Sequence, residues 1–339
     1  MEDDLEFFAN AEDRALWDRA CALRRRYWGR DVFLRGIVEF SSYCEQNCLY
    51  CGLRKDNTEL ARYRLGYDEI FAAAKDVRDL GIGTVVLQSG EDPEYDGEGV
   101  AELIRRIKRE LGLAVTLSLG ERCPEDYALW REAGADRYLL KMETFRPEDY
   151  HALRGGKAIE SRIAAYETLR SLGYECGNGI ILGLPGETAE NLQDEFAALA
   201  ALRPEMLAVS PFTPHPQTPL IVQPAPDLPS IFRAMAMARI SVPTAHIPAT
   251  SALGLLGNDV RLKALEVADV LMPSLTPETV REAYAIYPGK NSSAESPVER
   301  ARAIQNMLRN AGFTLPSGPG GAWTEPGNQG APHADRISG

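Results

Sequence analysis

Residues 43–54 read Tyr-Cys-Glu-Gln-Asn-Cys-Leu-Tyr-Cys-Gly-Leu-Arg, YCEQNCLYCGLR, and space Cys44, Cys48 and Cys51 as Cys-x3-Cys-x2-Cys. The other cysteines of the 339-residue chain, Cys21, Cys123 and Cys176, are scattered. The triplet directly follows an apolar, β-rich run, GIVEFSS (36–42). It therefore sits on a loop at the C-terminal end of a first strand. In a (β/α)₈ barrel that is the face on which active sites are built.

Composition bounds what this loop can do. A hydrophobic content of 45% with 25% charged residues suits a globular protein with a large core. The net charge of −12 argues against nucleic acid as a partner, because phosphate binding needs a basic face. The opening MEDDLEFFANAEDRALW is acidic and amphipathic, unlike a secretory signal. No run approaches the ~20 apolar residues of a membrane span. A cytoplasmic protein with no membrane partner is expected, and disulfides are uncommon there. Clustered thiols then point to metal or redox chemistry. Three thiolates on one tight loop can hold three irons of a cubane, leaving the fourth iron open to a ligand. Structural zinc prefers four ligands in two close pairs. Here its fourth would have to be Cys123, His215 or another distant group. A zinc-stabilised protein without catalysis is the alternative from a different class.

Short apolar runs recur along the chain: 36–42, 84–90, 114–120, 137–143, 177–183, 206–212, 245–251 and 269–275. Each is bounded by Gly, Pro or polar residues, as a doubly covered parallel strand should be. Helical stretches lie between them. DEIFAAAKDVRDLG, EGVAELIRRIKRELG and SRIAAYETLRSLG end on Gly81, Gly112 and Gly173. TAENLQDEFAALAAL opens on Thr188, a plausible N-cap without a full capping box. The alternation predicts an α/β fold, a closed (β/α)₈ TIM-type barrel over 31–315, rather than a doubly wound open sheet. Prolines crowd the sixth and seventh units. Residues 1–30 read as a helical N-terminal extension. Residues 316–339, Gly/Pro-rich and polar, read as a disordered tail.

YCEQNCLYCGLR after a first strand resembles the radical S-adenosylmethionine (radical SAM) superfamily. The resemblance implies one 4Fe-4S cluster on Cys44, Cys48 and Cys51, with S-adenosylmethionine (SAM) chelated by the open iron. Its electron would cleave the sulfonium to a 5′-deoxyadenosyl radical. Tyr50 matches the family's aromatic beside adenine. Gln88-Ser89-Gly90-Glu91 matches the acidic turn that takes the SAM ammonium, and Ser118 ends the next strand. Glu143 would reach the ribose hydroxyls or the amine, and Arg162 the SAM carboxylate. Gly179, Ile181 and Gly183 match a G-x-I-x-G pattern that contacts adenine.

Further phrases, CGLRKDN, VLQSGED, TLSLGER, LGLPGET, PFTPHPQTPL, IPATSALG and YPGK, resemble in order the HydE group of FeFe-hydrogenase maturases, relatives of biotin synthase and methylornithine synthase. That implies a radical step on a small sulfur- or iron-cysteine-containing species. It also implies a reductant such as flavodoxin or ferredoxin, and maturation proteins as partners. A mutase or sulfur-insertion enzyme on an amino acid is the alternative within the superfamily. The chain departs from the group's pattern at Lys141-Met142, where Arg-His is usual, and at Ser274. No thiol follows YPGK, so a single cluster is expected. Arg137, Lys141, Thr250, Ser251, Met272, Tyr284 and Tyr287 are the expected substrate residues. Arg137 and Lys141 share one strand face by period-two alternation. His215 reads as either a proton carrier or a structural cap, and Cys123 as a conceivable hydrogen donor near the mouth. Cys21 and Cys176 read as packing residues.

Overall fold

The computed structural model describes residues 8–290 and 295–324. Helix α1 (Ala11–Trp28) precedes a short strand β1 (Phe33–Leu34) and β2 (Gly36–Ser41). There follow α2 (Tyr67–Asp79), β3 (Thr84–Ser89), α3 (Gly97–Leu111), β4 (Ala114–Ser118) and α4 (Pro124–Glu132). Next come β5 (Arg137–Leu139), α5 (Pro147–Leu153), α6 (Ile159–Ser171), β6 (Glu175–Leu182), α7 (Ala189–Leu202) and β7 (Met206–Pro211). The chain continues through α8 (Leu228–Ser241), α9 (Asn258–Ala264), β8 (Val270–Leu271) and α10 (Pro297–Asn310). No helix is long and apolar enough to cross a membrane, among the described residues.

Strands β2 to β7 form one six-stranded sheet in sequence order, parallel throughout. Each consecutive pair is joined through helix, as parallel pairing requires. β2 is buried at every residue, the mark of a strand covered on both faces. The glycine stops work as expected: Gly112 takes a left-handed backbone and donates to the Ile107 carbonyl. At α7 the cap is fuller than expected. Thr188 and Asn191 bond reciprocally, because Asn191 Oδ1 reaches the Thr188 amide at 2.7 Å.

Two expected strands are reduced. Over 245–251 only single bridges form, Met206 to His246 and Pro248 to Val270. Pro243 and Pro248 carry no amide hydrogen, so a continuous ladder is interrupted there. β8 spans only Val270–Leu271 and pairs with β1, while Ser274 makes a single bridge to Ile37 of β2.

The expected disordered tail is corrected for residues 316–324, which are fixed across the N-terminal ends of the strands. The Pro319 carbonyl accepts from Thr84 Oγ1 at 2.7 Å and Arg137 Nη2 at 3.0 Å. The Gly320 carbonyl accepts from both Arg35 and Arg137, each at 3.1 Å. The Ala322 amide reaches Glu175, and Trp323 packs edge-on against Tyr27. Buried guanidiniums need acceptors. A glycine-rich backbone offers carbonyls with no side chain in the way, which a count of apolar surface overlooks. Residues 325–339 lie outside the described residues.

Candidate active site

At the C-terminal ends of the strands lies a cavity of about 310 Å³, walled by Cys44, Cys48 and Cys51 on one side and by Lys141, Thr250, Ser251, Met272, Tyr284 and Tyr287 on the other. Tyr50, Gln88, Ser89, Gly90, Glu91, Ser118, Glu143, Arg162 and Ile181 also line it.

The cysteine loop is held by its own turns, Cys51 to Cys48 and Arg54 to Cys51, and by backbone bonds to its neighbours. The Glu45 amide donates to the Glu91 carbonyl at 2.9 Å, Leu49 to Leu153 at 2.9 Å, and Gly52 to Ile286 at 3.1 Å. A Cβ on Gly90 would lie 2.1 Å from the Tyr43 carbonyl oxygen, so only glycine lets these segments approach so closely. Arg62 ties the two ends of the loop together. Its guanidinium donates to the carbonyls of Ser42, Leu53, Arg54 and Asn57, on both sides of the triplet. An ammonium cannot present that fork. Arg62→Lys should therefore speed chelator-driven iron loss by about 10- to 100-fold, as outer-shell changes do at other metal sites. The melting curve should stay close to wild type. Iron release followed by absorbance checks this, and an unchanged release rate would refute the clamp.

His215 is buried and packs on the loop, its Nε2 only 2.7 Å from where a Gly52 Cβ would stand. Its Nδ1 accepts from the Gln217 amide at 3.0 Å, which puts the ring proton on Nε2. Cys123 is exposed at the N-cap of α4 and outside the cavity wall, which removes it from the mouth. Cys21 and Cys176 are buried; burial, followed by Glu266, pushes the Cys21 thiol up to about 12.

Beside the loop, four charged side chains interlock. Arg162 Nη1 lies 3.1 Å from Glu121 and 3.5 Å from Glu91. Arg154 Nη2 lies 3.5 Å from Glu91 and 3.7 Å from Glu121. Arg154 and Glu121 escaped the sequence reading. Arg154 follows α5 within LRGGK, where only the glycine pair hinted at a close backbone. Burial works against the Arg154 charge, yet Tyr50 and Cys48 keep its pKa raised.

Glu143 has φ +69°, a left-handed backbone that costs a non-glycine residue roughly 1–3 kcal/mol. Bonds from its amide to the Gly179 carbonyl (3.0 Å) and from the Ile181 amide to its own carbonyl (2.9 Å) enforce that geometry. The carboxylate is thereby turned into the cavity, where Lys141 Nζ stands 2.8 Å from Oε2. Lys141 also donates to Ser210 Oγ at 3.2 Å. Tyr284 accepts from Gln88 at 3.0 Å, and Tyr287 shares a hydrogen bond with Ser251. Ser274 donates to Glu39, which pairs with Lys290 at 2.6 Å.

Three expected site residues stand elsewhere. Arg137 begins β5 at the opposite end of the strands, bound to Glu175 at 2.6 Å and to the tail carbonyls. The alternation placed its side chain on the correct face but at the wrong depth. Gly179 fits against the Ala208 carbonyl, where a Cβ would come within 2.0 Å, and Gly183 turns the chain at φ +89° beside Pro226. Neither lines the cavity; both position Ile181, which does.

The cavity suits a cubane and an amino-acid nucleoside. Burial pushes the Cys44 and Cys51 thiols up, so their thiolates call for a metal. Among the described residues, no three His, Cys, Asp or Glu side chains gather closely enough to share one metal ion. Arg154 Nε and Thr250 Oγ1 are buried without hydrogen-bond partners, and Arg154 Nη2 and Glu143 Oε2 have only ion-pair contacts, to Glu91 and Glu121 and to Lys141. These are groups of both charge signs that a zwitterion and hydroxyls would satisfy.

Residues 38–199 match the Radical SAM superfamily model. The chain is 41% identical over 303 residues to the [FeFe] hydrogenase maturase subunit HydE of Thermotoga maritima, covering 88% of this chain and 86% of that one. It is 32% identical to 3-methylornithine synthase of Methanosarcina barkeri over 87% of this chain and 82% of that one. The crystal structure of a methylornithine synthase superposes with a TM-score of 0.81 at 29% identity, covering 91% of this chain and 90% of that one. The chain belongs to the radical SAM superfamily and is an enzyme of that kind, using a 4Fe-4S cluster and SAM.

Proposed function

We propose that the enzyme is a HydE-type maturase acting on a small sulfur- or iron-cysteine-containing substrate in FeFe-hydrogenase cofactor assembly. The observation that carries this reading is the 41% identity to the T. maritima HydE over most of both chains. In support of an eight-position (β/α)₈ barrel over 31–315, the single bridges Met206–His246, Pro248–Val270 and Ile37–Ser274 continue the parallel order around from β7 to β2. The N-terminal extension expected over 1–30 is represented by α1, which packs on α8 through Trp17 and Phe232; residues 1–7 lie outside the described residues. The protein works in the cytoplasm, with a flavodoxin or ferredoxin as reductant.

Cys44, Cys48 and Cys51 hold the cluster. When bound, cluster and SAM together supply a 5′-deoxyadenosyl radical. The protein's own part is binding, aim and exclusion of water. Gln88, Ser89, Gly90 and Glu91, with Arg154 and Arg162, surround the amino-acid end of SAM. Glu143 accepts from the ribose hydroxyls. Tyr50, Ser118 and Ile181 flank the nucleoside. Lys141, tethered by Glu143 and Ser210, offers its remaining N–H to an anionic group of the substrate. Thr250 Oγ1, Ser251, Met272, Tyr284 and Tyr287 complete the pocket.

The test is to incubate reduced, cluster-loaded enzyme with SAM and deuterated candidates, and to follow label into 5′-deoxyadenosine by mass spectrometry. Lys141→Met should keep unproductive SAM cleavage and lose product formation by roughly 10- to 100-fold, the worth of a charge-assisted hydrogen bond. Lys141→Arg should keep much of it. Equal losses of both activities would refute the role. The likeness to methylornithine synthase favours a second reading, a carbon-skeleton rearrangement of an amino acid. Appearance of a rearranged amino acid in the same assay would select it.

A further inference from the structure

A second cavity, of about 440 Å³, lies beside the catalytic one, between β2, the Leu253–Leu255 turn, α9 and α10. The two share Ile37, Ser251, Met272, Tyr287 and Lys290, and the hydrogen-bonded Ser251–Tyr287 pair stands on the common wall.

Arg261 of α9 projects into this second space. Its Nε is buried without a hydrogen-bond partner. Gly254 makes room for it, since a Cβ there would fall 1.7 Å from Nη2. Arg261 is half-buried, and its unmet Nε is shared with Arg35, Arg54 and Arg154, whereas Arg62 spends its donors on four carbonyls and Arg239 on Asp269 and three carbonyls. Arg300 and Lys290 also line the cavity, against the carboxylates Glu39 and Glu295. Glu39 is already committed to Lys290, Ser274 and Thr276. Burial and the neighbouring Arg300 push the Arg261 pKa down. An unmet buried donor is costly, and more so a charged one. Leu271, Ile304 and Met307 supply apolar wall alongside the polar side chains of Asn258 and Ser274.

We propose that this side cavity is a second small-molecule site that binds a compact anion, a carboxylate or an inorganic oxyanion, on Arg261. Ser251 and Tyr287 partition it from the catalytic cavity.

The experiment titrates cluster-loaded protein with sodium selenate and, separately, sodium malonate by calorimetry, and soaks wild-type crystals in selenate. At least one probe should bind saturably, and the one that binds identifies the source of the anion. Arg261→Gln should weaken that binding by about tenfold or more, and Arg261→Lys by less. SAM-induced changes in the cluster's EPR spectrum should persist in both variants. If selenate is the probe that binds, a selenium peak should appear within hydrogen-bonding reach of Arg261. Saturable binding of neither probe, or equal binding by Arg261→Gln and wild type, overturns the proposal. The wild-type titrations decide it even if a variant fails to fold.

Discussion

Cys48→Ala protein, reconstituted without oxygen, is expected to hold no stable cubane and to make no 5′-deoxyadenosine above background. The three thiols face one cavity from one loop, and that loop is fastened at both ends and in the middle. A lost thiolate has no substitute nearby: His215 is fixed by the Gln217 amide, and Cys123 is exposed outside the cavity. Cys48 is the least exposed residue of the three. The loss should be chemical rather than a failure to fold, because the loop's carbonyls and amides keep their partners. Iron analysis, EPR of the reduced sample and nucleoside chromatography check it. A Cys48→Ala protein that still cleaves SAM would remove the loop from the mechanism and with it the functional reading. Cys44→Ala and Cys51→Ala should behave alike.

The cysteine triplet, the six strands of the main sheet and most of the cavity wall were legible because each depends on local sequence. A glycine stop, an apolar run and a thiol spacing are visible without knowing what lies across the fold. What escaped depends on depth and on distant partners. Period-two alternation assigns Arg137 a face of the strand but says nothing of how far along it lies. Its partners, Glu175 and the carbonyls of Pro319 and Gly320, are remote in sequence. The tail looked unable to fold because it buries little apolar surface. It is held instead by its backbone, as acceptor for two buried guanidiniums. Arg154 belongs to no motif and Glu121 stands in TLSLGER without a role assigned to it; only the fold brings them to Glu91 and to each other. The strand expected over 245–251 is reduced to single bridges for a local reason that was in view: Pro248 has no amide to give a ladder.

Where that ladder is interrupted, another connection takes its place, and it carries the largest stability effect expected of a single substitution here. Asp269, wholly buried just before β8, receives Arg239 Nη2 at 2.6 Å, the Ile247 amide at 2.9 Å and His246 Nδ1. Arg239, equally buried on α8, also donates to the carbonyls of Val267, Pro243 and Ala245. One carboxylate and one guanidinium thus join α8, the 243–247 segment and β8. Asp269→Ala strands the Arg239 charge in the core, which should cost about 3–5 kcal/mol and lower the melting temperature on the order of 10 °C. Asp269→Asn keeps the shape and should cost less. Burial alone would raise the Asp269 pKa, but His246 and Arg239 outweigh it and hold it below its ordinary value of 3.8. A depressed carboxylate contributes its full stability above the unfolded value and loses it as pH falls through the folded one. Wild type should therefore lose this contribution only below about pH 4. The gap between wild type and Asp269→Ala should be constant at neutral pH and narrow in acid. Thermal melts of both proteins from neutral pH downward measure it. A variant that melts within a degree or two of wild type at neutral pH would show that the interrupted ladder needs no support from this ion pair.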